Sequence, residues 1–105
     1  MRYIDLHCDT ISELADHPWK GDLARSTLDI DLEKLKKGGA LIQDFALFVH
    51  MGEVEDPWAR YEALLAEFEK QMARYGGGIR RILSAEDAAA CEADGTLGAL
   101  LSIEE

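Results

Sequence analysis

Cysteine and proline are both scarce, two of each in 105 residues. Two thiols cannot build a disulfide scaffold, and so sparing a use of cysteine points to a reducing, cytoplasmic compartment. Basic residues are few as well: 11 Lys plus Arg face 21 Asp plus Glu, a formal charge of −10 with His neutral. Such a surface repels phosphate backbones and anionic lipid, so neither nucleic acid nor a membrane is expected as partner. No apolar run approaches the ~20 residues that span a bilayer. The longest, Phe45 to Val49, has the length of a strand. The opening Met1-Arg2-Tyr3-Ile4-Asp5 turns acidic at its fifth residue, unlike the basic and then apolar start of a secretory signal. Aromatic residues make up 8% and are scattered, which leaves no platform for stacking bases.

What is present is an ordinary apolar share, 48%, enough for a globular core and against wholesale disorder. The length suits one domain, residues 1–105. Tyr3 to His7 alternates apolar and polar residues and reads as a short strand. A polar loop with Pro18 and Gly21 follows, with room for a helical turn from Ser12. Asp31 is placed to cap a helix over Leu32 to Lys37, with lysines in its last turn and Gly38-Gly39 ending it. Ala40 to His50 reads as a strand buried on both faces, the kind found in parallel sheets.

Asp56-Pro57 signals a helix start, a carboxylate cap followed by proline in the first turn. Tyr61, Leu64, Leu65, Phe68 and Met72 then recur at helical spacing until Gly76-Gly77-Gly78. Ile79 to Leu83 is strand-like. Ser84 followed by Asp87 resembles a helix cap ahead of an alanine-rich stretch to Ala93. Asp94-Gly95 is a turn, and Leu97 to Ile103 is a second buried strand. Alternating strands and helices predict an α/β fold with parallel strands joined by helical crossovers.

Several residues carry chemistry. In a strand, side chains two apart share a face, so His7 and Asp9 are expected to project together, with Cys8 turned away. An imidazole beside a carboxylate suits a borderline cation such as zinc. On spacing alone, a satisfied polar pair at a strand end is the commoner outcome, since His-x-Asp is short and common. Glu104 and Glu105 follow an apolar strand, and each is either paired there or solvated. Gln43-Asp44 interrupts the apolar run of Ala40 to His50. One of the two should face the interior, as a partner of site residues or as a buried polar group tied to a neighbouring strand. His50 is expected at a solvated strand end and His17 in an exposed loop. Cys8 and Cys91 read as small buried side chains rather than nucleophiles. No residue is assigned as a catalytic acid or base.

In order along the chain, these segments resemble the start of the membrane dipeptidase (renal dipeptidase) family of zinc peptidases. Ile4-Asp5-Leu6-His7-Cys8-Asp9-Thr10 is similar to that family's opening strand with its His-x-Asp metal pair. Asp31 to Gly39 is similar to its helix and turn, and Ala40 to Val49, with Gln43 and Phe45, to its second barrel strand. Leu100 to Glu104 is similar to the strand that ends in a bridging carboxylate. The resemblance implies the N-terminal part of a (β/α)8 barrel of the TIM type and a centre of two zinc ions that hydrolyses dipeptides. It implies that His7 and Asp9 bind one zinc and that Glu104 bridges both, with Glu105 as the alternative one register on. Such barrels run to ~250 residues, and the family's later histidines and its acid/base aspartate have no counterpart here. The chain therefore reads as roughly the first third of a dipeptidase, inactive alone, or as a non-catalytic module that keeps the fold signature. Unpaired strand edges then predict self-association or pairing with the remainder of a barrel.

Overall fold

The computed structural model describes residues 1–105. The chain forms β1 (Tyr3–Asp5), α1 (Thr10–Asp16), a 3-10 turn (Pro18–Lys20), α2 (Leu32–Gly38), β2 (Ala40–Phe48), α3 (Pro57–Tyr75), β3 (Ile79–Arg81), α4 (Ala85–Asp94) and β4 (Leu97–Glu104). The four strands make one sheet in the order β1-β2-β4-β3. Every pairing in it is parallel. The α/β layout with helical crossovers is thus the one the sequence predicts.

Local chemistry sets the helix ends. The Asp31 carboxylate accepts the Lys34 N–H at 2.9 Å, and Gly39 leaves α2 in the left-handed region at φ 82°, a conformation that costs a residue with a Cβ. Asp56 accepts the Ala59 N–H at 3.0 Å ahead of Pro57. Ser84 accepts the Asp87 N–H at 3.2 Å, while Asp87 accepts the Leu83 N–H at 2.9 Å, so each side chain satisfies a helix-end donor of the other's neighbourhood.

The boundaries differ from expectation in five elements. The opening strand stops at Asp5 instead of reaching His7, because the chain turns there into α1. That helix is a full seven residues where only a turn from Ser12 is expected. Its apolar signal is just Ile11 and Leu14, both buried, and two positions are too short a pattern to register. The second and third strands also end early, at Phe48 and Arg81, whereas β4 runs on through Glu104.

The core has two parts, one on each face of the sheet. Phe45 and Leu47 of β2 point toward Leu64 and Phe68 of α3, and the same cluster takes in Ile11, Leu32 and Leu35. The Phe45 and Phe68 rings lie 6.1 Å apart. On the other face, Ile42 packs with Ile82 and Cys91 of α4. The sheet order explains the split. The step from β3 to β4 runs back toward β2, so a right-handed crossover must place α4 on the face opposite α3. Gly98 lies beneath α4, where an added Cβ would meet Ile82 at 2.9 Å and Ile42 at 3.1 Å. Above that contact the α4 face of the sheet carries Asp44, Ser102 and Glu104, in alternation along β2 and β4. Leu100 and Ile4 on this face are exposed at 36% and 53%. The outer edge of β1 has no partner, and β3 pairs only with Leu97 to Ala99, so the upper part of β4 has a free edge.

Candidate metal centre

The carboxyl ends of β1 and β4 flank the end of β2, and three side chains converge over it. His7 lies in the coil after β1, Asp9 at the start of α1, and Glu104 closes β4. The coil is fastened to β2 by the Ala46 N–H, which donates to the Cys8 carbonyl at 3.0 Å. His7 Nε2 stands 3.4 Å from Asp9 Oδ2 and 3.5 Å from Glu104 Oε2. One donor atom from each of the three residues lies within 4.8 Å of the others. All three side chains are about half exposed.

Their chemistry fits a divalent cation. Two carboxylates share a single imidazole, and no Lys or Arg forms an ion pair with Asp9 or Glu104. The separations exceed the ~2.7–2.9 Å of a tight charged hydrogen bond. They match the spacing of about 3.3 Å between neighbouring ligands of a tetrahedral ion with bonds of about 2.0–2.1 Å. The Asp9 carboxylate is also free for this role, since it makes no capping bond to α1.

The other residues singled out by sequence fall elsewhere. Glu105 is exposed and borders an apolar hollow with Trp58 and Ile103; it is not among the three. Gln43 and Asp44 are both buried, at 0% and 4% exposure, where only one is expected inside. They point to opposite faces of a strand that is covered on both. Gln43 Nε2 donates to the Asp44 carbonyl, and Asp44 Oδ2 accepts the Ser102 hydroxyl at 2.6 Å. Gln43 Oε1 and Asp44 Oδ1 have no partner. His50 is exposed as expected, edge-on to Phe48 and 4.0 Å from Glu53. His17 is half-buried rather than exposed, because α1 ends on it. Its Nδ1 sits 3.3 Å from Glu13, and its ring meets Trp19 edge-on. Cys8 and Cys91 are buried and unpaired in a disulfide. Burial pushes the Cys8 thiol up to about 11, which leaves it inert as a nucleophile at neutral pH.

Sequence reasoning reads a polar loop after Pro18 but misses its shape and its place facing His7 and Asp9. Residues 21–31 form a shaped loop, opened by an antiparallel bridge between Gly21 and Ser26. Buried Gln71 of α3 accepts the Leu23 N–H at 3.0 Å, and buried Asp31 accepts the Ser26 N–H at 2.9 Å. Thr10 donates to the Ile30 carbonyl at 3.4 Å. The loop thereby walls a cleft of about 360 Å³ that includes His7 and Asp9. Its only sequence signal is a lone polar residue, Gln71, within the apolar stripe of α3.

Solved structures settle the fold. The chain superposes on the metallo-peptidase "dipeptidase AC" of peptidase family M19 with a TM-score of 0.83 at 19% identity, over 99% of this chain and 35% of that one. It has the fold of the N-terminal part of a metallo-dipeptidase. A metallo-peptidase from Rhodobacter sphaeroides, liganded with a phosphinate mimic of the dipeptide L-Ala-D-Ala, matches at TM-score 0.82 and 17% identity, over 99% of this chain and 38% of that one. The chain thus spans little more than a third of the length of these solved structures. No family model and no curated protein matches the sequence. No helix is long and apolar enough to cross a membrane.

Proposed function

We propose that this chain carries the first metal-binding elements of a zinc-dependent dipeptidase. The observation that supports this most is the convergence of His7, Asp9 and Glu104 from the ends of β1 and β4, on a fold shared with metallo-dipeptidases. In this reading His7 and Asp9 would hold one zinc, and Glu104 would serve as a ligand shared with a second. A bound pair of such ions polarises a carbonyl and makes hydroxide available at neutral pH. The chain's own contribution is placement. The coil fastened at Cys8 orients His7, the start of α1 presents Asp9, and β4 fixes Glu104 opposite both.

Three protein ligands suffice for one ion, and the second needs donors from beyond these residues. Residues 1–105 therefore act as one incomplete barrel unit, and the free edges of β1 and β4 are where further strands add. The remainder of a barrel or a second copy would supply them. The small ligand set also favours a second reading, a binding module that holds one ion without catalysis. Two buried free thiols fit a reducing, cytoplasmic setting.

The test is calorimetric titration with a phosphinate dipeptide mimic, with and without zinc. Binding that requires zinc and is lost in a His7→Ala/Asp9→Ala variant supports the proposal. Binding that ignores zinc, or no binding at all, contradicts it.

A further inference from the structure

The cleft that holds His7 and Asp9 also contains a carboxylate with no assigned task. Asp29, an exposed residue between Leu28 and Ile30 on the 21–31 loop, lines it. Glu13 borders the same cleft but is engaged, with Lys20 Nζ at 2.6 Å and His17 Nδ1 at 3.3 Å. Asp9 faces His7. Asp29 alone among these acids makes no hydrogen bond and no ion pair. Its place is nevertheless defined, because Thr10 of α1 and Gln71 of α3 tie the loop to the helices and Asp31 braces it from within.

We infer that Asp29 is the residue that selects a substrate by its free α-amino group. This rests on the dipeptidase reading above. A peptide whose scissile carbonyl lies at His7, Asp9 and Glu104 brings its amino terminus within a residue's length of that carbonyl. An ammonium placed in this cleft meets one uncommitted carboxylate, and a charge-assisted hydrogen bond forms. Leu28 and Ile30 border the apolar part of the same amino-terminal residue. The cleft has no free cation, so a carboxyl terminus finds no partner in it. The ligand class is thus a short peptide with an unblocked amino end, oriented with that end toward the 21–31 loop.

The experiment uses the zinc-loaded chain and two probes, a phosphinate mimic of Ala-Ala and its des-amino analogue. Removing the amino group subtracts the ammonium without adding bulk. Wild type should bind the free-amine probe about tenfold more tightly, the range of one hydrogen bond to a charged group. In Asp29→Asn, which keeps shape and sits on the surface, that preference should fall to within about twofold, with zinc content unchanged. A preference that persists in Asp29→Asn overturns the inference and leaves the dipeptidase reading standing. Equal binding of both probes by wild type does the same. Failure of both probes to bind overturns the two together.

Discussion

His7 Nε2 and Glu104 Oε2 lie 3.5 Å apart although 97 positions separate them in sequence. Only the parallel placement of β1 and β4 on either side of β2 produces this contact. Both side chains are about half exposed, so their removal opens no cavity, and surface changes of this kind stay within about 0.5 kcal/mol of wild type. Zinc affinity is the sensitive quantity. His7→Ala and Glu104→Gln should each weaken it by about a hundredfold or more, since even partners that only orient a ligand are worth about 10–100-fold. Glu105→Gln should leave it unchanged. Competition with a zinc-responsive dye measures all three.

The Asp44–Ser102 pair makes a separate claim about stability. Asp44 is buried with one oxygen held by the Ser102 hydroxyl at 2.6 Å and the other without a donor. Ser102→Ala strips the carboxylate of its remaining donor and should cost about 1–3 kcal/mol. In an Asp44→Asn background, where no charge is left stranded, the same substitution should cost clearly less. Urea unfolding of the four proteins closes this cycle. Equal costs in both backgrounds would remove the coupling.

Gln71 ties the 21–31 loop to α3 from inside the core. Gln71→Leu keeps the bulk but leaves the buried Leu23 N–H without an acceptor, at a cost of about 1–3 kcal/mol. The loss should be local before it is global. Hydrogen exchange at Leu23 and Ser26 should accelerate more than exchange within β2.

These examples mark what the sequence makes legible. Caps at Asp31, Asp56 and Ser84 are short-range devices whose partners lie three residues on, and all three form as read. The stripe of α3 is legible for the same reason, apart from Gln71. His7 and Asp9 do come together, but by a different route from strand alternation. The strand has already ended at Asp5, and the coil into α1 brings them face to face. The split of the core between two faces escapes a one-dimensional reading, since it follows from β4 inserting between β2 and β3. The loop that walls the cleft escapes as well. It has no periodicity, and Leu23 and Ile30 owe their positions to Gln71 and Thr10, 48 and 20 residues away along the chain.

Acid should destabilise the fold in a defined window. Burial tends to raise the Asp31 carboxyl, but its bonds from Lys34 and the Lys34 and Ser26 N–H groups prevail and hold it below its ordinary 3.8. Asp94 is held down to about 2 by the hydroxyl and N–H of Thr96 and then by Arg80. A carboxylate whose folded value is depressed contributes stability above its unfolded value, and that contribution is lost as pH falls through the folded one. Stability should therefore decline from about pH 4 toward pH 2. The decline should be shallower in Asp31→Asn and in Asp94→Asn, as thermal melts along a pH series would record.

The metal content of the purified chain tests the central claim most directly. After dialysis against zinc and then against zinc-free buffer without chelator, elemental analysis should find at least about one zinc per chain. Replacing His7, Asp9 and Glu104 together should reduce it to background while the circular dichroism spectrum stays that of wild type. A wild-type chain that retains no zinc, or a triple variant that retains as much, would contradict the assignment of these three residues as a metal centre.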